Sequence, residues 1–179
     1  MPRTCVLLSL SLLLSCAACA RAATASTIVS PPSFRSANLT AAGLLAATKY
    51  GKTVLAGDEI TVAAQEYADC LVFRVQARTR GYVALGFVDP FASSVDVLLA
   101  WVDDDTGTGH VMDMHGKTET GLTPEKDVSQ DYELLASFQN GSHISVVFRR
   151  AWDTCDAHDD VVFGVCTRKP VFFKISSES

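Results

Sequence analysis

A chain of 179 residues with 15 Lys and Arg against 20 Asp and Glu has a formal net charge of −5, which excludes the basic surface that nucleic-acid binding requires. Its length fits one domain, and a domain of this size buries enough apolar surface to fold without cross-links.

The first residues set the compartment. Arg3 precedes an apolar run, Val6 to Leu14, broken by Ser9 and Ser11, and small residues follow at Ala18-Cys19-Ala20 and Ala22-Ala23. Charge, apolar core and A-x-A site in that order make residues 1–22 a secretory signal peptide, cleaved after Ala20 or within three residues of it. The core falls short of the roughly 20 apolar residues a membrane span needs. No later segment is apolar for long enough, so the expectation is a secreted or vesicle-lumen protein with no span after processing. Processing leaves Cys70, Cys155 and Cys166. An odd count in an oxidising compartment implies an unpaired thiol or a bond to a second chain.

Residues 23–40 read as an extended leader with Pro31-Pro32 and a glycosylation sequon, Asn38-Leu39-Thr40. Ala41 to Ala47 reads as a short helix. From Glu59 the period becomes two: Ile60, Val62 and Ala64 alternate with polar neighbours, as do Leu71, Phe73, Val75 and Ala77. Tyr82–Val88, Val95–Val102, Tyr132–Phe138 and His143–Phe148 are further short runs rich in branched and aromatic residues. Such runs, spaced by Gly, Asn and Asp, predict an antiparallel sandwich or barrel. Asn140-Gly141 between the last two predicts a type I′ hairpin turn, and Asn140-Gly141-Ser142 is a second sequon at its tip. Val171 to Ile175 can supply a closing strand.

Chemistry-bearing residues cluster in the middle of the chain. Asp96 interrupts the apolar run Val95 to Trp101. A carboxylate there either faces solvent by strand alternation or is buried with a partner or metal. Asp103, Asp104, Asp105, Asp113 and Asp131 follow it, and oxygen-rich sets of this kind suit a hard cation such as calcium. The Asp103–Asp105 triplet lacks the D-x-D-x-D order of an EF-hand and reads as a solvated turn. His110, Met112 and Met114 share one face of a strand and His115 the other, which argues against one copper or haem site. The sequence has no G-x-S-x-G, no H-E-x-x-H and no phosphate-binding glycine loop.

Four segments together resemble one family. Phe73 to Phe87, with Thr79-Arg80-Gly81-Tyr82-Val83 and Gly86-Phe87, resembles the opening of a DOMON domain. So does Asp96 to Trp101 with the acidic turn after it. Ser129-Gln130-Asp131-Tyr132-Glu133-Leu134-Leu135 and Phe148 to Asp159, with Thr154-Cys155-Asp156, are similar to the dopamine β-hydroxylase-like branch of copper type II, ascorbate-dependent monooxygenases. The resemblance implies an immunoglobulin-like antiparallel β-sandwich over residues 41–175, with 176–179 a tail. It also implies a cation site at Asp96 and Asp131, completed by backbone near Val97 and Met114. In the family Cys155 reaches a cysteine outside the domain, so here it is expected to join a partner or a second copy of the chain. The enzymes continue into copper-binding domains rich in His and Met, and this chain stops at Ser179. The expectation is therefore a non-catalytic secreted module that binds a ligand, cation or partner and itself needs no cofactor, calcium apart. The alternative is the N-terminal regulatory or assembly part of such an enzyme, which would use copper and ascorbate on its other domains.

Overall fold

Alternation along one strand organises the molecule. In β4 (Cys70–Ala77) the odd positions Leu71, Phe73, Val75 and Ala77 are buried in the main core, while Arg74 and Gln76 turn away from it. The computed structural model describes residues 7–8, 34, 40–46, 52–56, 60–88, 94–117, 124–156, 160–163 and 172–177. Asn38, His158 and Cys166 lie outside the described residues.

Two antiparallel sheets face each other. One runs β2 (Lys52–Ala56), β3 (Ile60–Glu66), β4, β10 (Ile144–Ala151) and β9 (Tyr132–Gln139), in that order. The other runs β1 (Leu7–Leu8), β11 (Phe172–Ser177), β5 (Tyr82–Val88), β6 (Ser94–Val102), β7 (Gly109–Lys117) and β8 (Glu125–Lys126). The closing strand exists and pairs with β5. This is an all-β sandwich, as the period-two pattern predicts.

Phe73, Phe148, Phe87 and Phe163 fill the space between the sheets. Phe73 and Phe148 stack at 5.3 Å, and Phe87 meets Phe163 edge-on at 5.0 Å. Each buried aromatic contributes about 1.5–3 kcal/mol of transfer free energy, and each pair about 0.5–1.5 kcal/mol more. A second apolar cluster lies on the outer face of the first sheet. There the short helix α1 (Ala41–Ala46) seats Leu44 on Tyr67, Val72, Ala136 and Val147. Thr40 starts this helix, its hydroxyl oxygen accepting from the Gly43 amide at 3.1 Å.

Two local features re-aim side chains. The pairing of β9 with β10 slips between Val147 and Phe148: Val147 faces Ala136, but Phe148 faces Leu134. Leu135 is thus the extra residue of a β-bulge, and the parity of the strand inverts there. Tyr132 and Leu134 consequently pack on the main core, while Ala136 packs on the helix side. The second feature is the β9–β10 turn, which corrects the type I′ expectation. Neither Asn140 nor Gly141 has positive φ; among the described residues that belongs to Cys155 (63°) and Gly107 (68°). Asn140 Oδ1 instead accepts from the Ser142 and His143 amides, each at 2.9 Å. That side-chain acceptor closes a four-residue loop, which a two-residue primed turn would not leave room for.

Candidate functional site: a buried carboxylate cluster

Strand register brings four aspartates to one end of the sandwich. In β6 the inward series is Asp96, Leu98, Ala100 and Val102, so Asp96 points into the core and is 0% exposed. Across the ladder Leu98 faces Asp113 of β7, which is also buried. In β10 the inward series Ile144, Val146, Phe148 ends on Arg150, a fully buried guanidinium. Asp160, on the chain returning past β10, completes the group.

Arg150 Nη2 lies 2.8 Å from Asp96 Oδ2 and 2.9 Å from Asp160 Oδ2. These are close ion pairs; apart from them, Arg150 Nη2 and Asp160 Oδ2 have no hydrogen-bond partner among the described residues. Arg150 Nη1 donates to the Val161 carbonyl at 2.8 Å, and the guanidinium lies over the rings of Phe163 and Tyr132. Tyr132 donates its hydroxyl to Asp96 Oδ1 at 2.7 Å, and the Val161 amide donates to Asp96 Oδ2 at 3.3 Å. The β9 bulge is what allows the Tyr132 contact.

A side-chain clamp holds Asp113 and brings the fourth aspartate, Asp131, beside it. Gln130 accepts from the Asp113 amide at 3.0 Å and donates back to the Asp113 and Asp127 carbonyls, also at 3.0 Å. It thereby substitutes for a ladder partner along the part of β7 that β8 leaves uncovered. The Asp131 amide then donates to Asp113 Oδ2 at 3.0 Å. Asp113 Oδ1 and Asp131 Oδ2 are buried and have no hydrogen-bond partner among the described residues.

One oxygen from each of Asp96, Asp113 and Asp160 lies within 4.8 Å of the others. Three carboxylates facing one guanidinium leave an excess of negative charge in a dry place, which is costly unless a proton or cation joins them. Burial is the main cause that pushes the Asp96 carboxyl up to about 7, with Asp160 adding to it and Arg150 opposing. Burial likewise pushes Asp113 up to about 8, helped by Asp96 and Asp160, and raises Asp160. The donor set also fits a hard cation: Ca2+ takes carboxylate oxygens at roughly 2.3–2.6 Å, so two of its ligands can be up to about 5 Å apart.

Known proteins place this arrangement in context. The DOMON domain family matches residues 58–176. The chain belongs to the DOMON domain family. MOXD1 homolog 1 of Drosophila melanogaster is 40% identical over 91 residues, 50% of this chain and 13% of that protein. MOXD1 homolog 2 of the same organism is 35% identical over 105 residues, 58% of this chain and 14% of the relative. The human DBH-like monooxygenase protein 1 is 34% identical over 90 residues, 50% of this chain and 14% of its own. The chain thus spans about one seventh of the length of these relatives.

Val97 and Met114 are direct partners across β6 and β7, and their parity points them away from the core. Asp131 adjoins the cluster through its amide. His110, Met112 and Met114 share the outer face, where His110 stacks on Trp101 at 4.9 Å. His115 is on the opposite face, 3.5 Å from Asp127. The acidic triplet is a turn: Asp103 Oδ1 accepts from the Asp105 and Thr106 amides and the Thr106 hydroxyl. Cys70 is buried and Cys155 exposed, and neither forms a disulfide among the described residues. No helix among the described residues is long and apolar enough to cross a membrane.

Sequence reasoning missed Arg150, Tyr132 and Asp160. A signal for Arg150 was present. It continues the parity of Val146 and Phe148, so an inward arginine could have been matched to the inward aspartate of β6.

Proposed function

We propose that this chain is a secreted, non-catalytic DOMON module that binds a hard cation, calcium by the chemistry of its ligands, at Asp96, Asp113 and Asp160, with Asp131 alongside. One observation carries the reading: oxygens of Asp96, Asp113 and Asp160 lie within 4.8 Å of one another, Arg150 pairs with only two of the three, and Asp113 Oδ1 stays unsatisfied. The described histidines support the non-catalytic part, because His110, His115 and His143 stand on the outer face, the inner face and a hairpin tip. The exposed thiol of Cys155 supports a covalent link to a partner or second copy.

Thermal melting in calcium and in chelator tests the cation. An ion that binds only the folded state stabilises it by about 2.7 kcal/mol at a hundred times Kd. The midpoint should therefore climb with calcium concentration in the wild type. Asp113→Asn should abolish most of that climb. A midpoint that ignores calcium would remove the site.

A second reading is favoured by the relatives' lengths. The chain corresponds to the DOMON part of a dopamine β-hydroxylase-like copper monooxygenase, with a regulatory or assembly role. A reading frame continuing past Ser179 into copper-site histidines would decide for it, and an in-frame stop after Ser179 would decide against.

A further inference from the structure

The outer face of β9 carries a feature the cation site leaves unexplained. Phe138 is 53% exposed, on a strand at the edge of the five-stranded sheet. An exposed aromatic on an edge strand invites pairing with another chain. Two residues on is Asn140, exposed, at the start of the four-residue loop. Phe138 and Asn140 line one surface cleft, so they are neighbours on the surface.

The loop fixes the asparagine amide in one orientation. Its oxygen accepts from the amides of Ser142 and His143 and, at 3.3 Å, from the Ser142 hydroxyl. Two backbone donors define that atom as oxygen, so Nδ2 is left to face outward.

We infer that Asn140 carries an N-linked glycan whose first N-acetylglucosamine lies on the ring of Phe138. This rests on the secretory delivery proposed above. The co-reactant is a lipid-pyrophosphate-linked oligosaccharide. The bond from its C1 to the pyrophosphate oxygen breaks, a C1–Nδ2 bond forms, the amide loses one proton, and the lipid pyrophosphate departs. The C–H face of the sugar then covers apolar ring surface otherwise held in water, and the glycan shields the β9 edge against strand addition. The sugar is thus a structural part of the β9–β10 hairpin.

The test uses a eukaryotic host and a heterologous signal peptide, so that delivery itself is not in question, on an Asn38→Gln background. Peptide mass spectrometry after enzymatic deglycosylation in oxygen-18 water should show Asn140 converted to labelled Asp in most molecules. Melting points are then compared for the parent, Ser142→Ala, Phe138→Ala and the double variant, with glycans trimmed to one sugar. Phe138 and Ser142 are exposed, so each variant should fold. Removing the glycan should lower the midpoint by about 2–4 °C when Phe138 is present, and by clearly less when it is Ala. Unmodified Asn140 in the secreted protein overturns the proposal. So does a loss of the same size on both backgrounds.

Discussion

Arg150 can neutralise only one of the carboxylates it faces, and the pH dependence of stability reports how the others are kept. Without a cation, burial pushes the Asp96 and Asp113 carboxyls up to about 7 and about 8 in the folded chain, against about 3.9 for an ordinary aspartate. The folded state therefore keeps protons that the unfolded chain has already released. Stability from this source is complete below about pH 4 and is lost as pH rises through the two folded values. The slope reaches up to roughly 1.4 kcal/mol per pH unit for each carboxyl. In chelator the melting midpoint should fall steadily between pH 5 and pH 8. Calcium, which binds the ionised carboxylates, should flatten that fall and act most strongly at the upper end. A midpoint in chelator that stays level across this range would mean the pair is ionised throughout.

At the scale of elements, the site depends on how closely β7 approaches β9. Gly109 opens β7, and a Cβ there would collide with the Ser137 side chain and come within 3.1 Å of Leu134 Cδ2. Replacing this glycine forces β7 and β9 apart near the bulge that aims Tyr132. Gly109→Ala should destabilise the fold by about 1–3 kcal/mol, the usual range for overpacking. Ser137→Gly removes the obstructing side chain, so the double variant should recover most of the loss in a denaturant titration. Additive losses would locate the strain elsewhere. The bulge at Leu135 could not have been read from Tyr132–Phe138, because Tyr132, Leu134, Ala136 and Phe138 alternate with Glu133 and Ser137 as if the strand kept one parity throughout. Pairing with β10 decides it.

For the whole molecule, the prediction concerns chemistry. Copper monooxygenation needs metal held by nitrogen and sulfur ligands with open positions, and the described histidines stand on three separate surfaces. Purified protein given copper, ascorbate, oxygen and a phenylethylamine should yield no hydroxylated product above a free-copper control. Turnover that survives removal of loosely bound copper and disappears on mutating His110 or Met114 would refute the non-catalytic reading.

The sequence by itself determined most of the strands, the inward residues of β3 and β4, and the family, because period-two alternation and short motifs are local and survive in one dimension. Phe73, Val75 and Ala77 declare their face within a single strand. It also marked Asp96 as anomalous and placed His110 and His115 on opposite faces. Only the tertiary structure decided what Asp96 meets. Val95 to Val102 is apolar on both parities, so its facing follows from the neighbouring strands. The partners of Asp96 come from β7, β9, β10 and the chain beyond β10, separated from it by up to 65 residues. A buried charge is specified by what surrounds it, and those surroundings exist only once both sheets have closed.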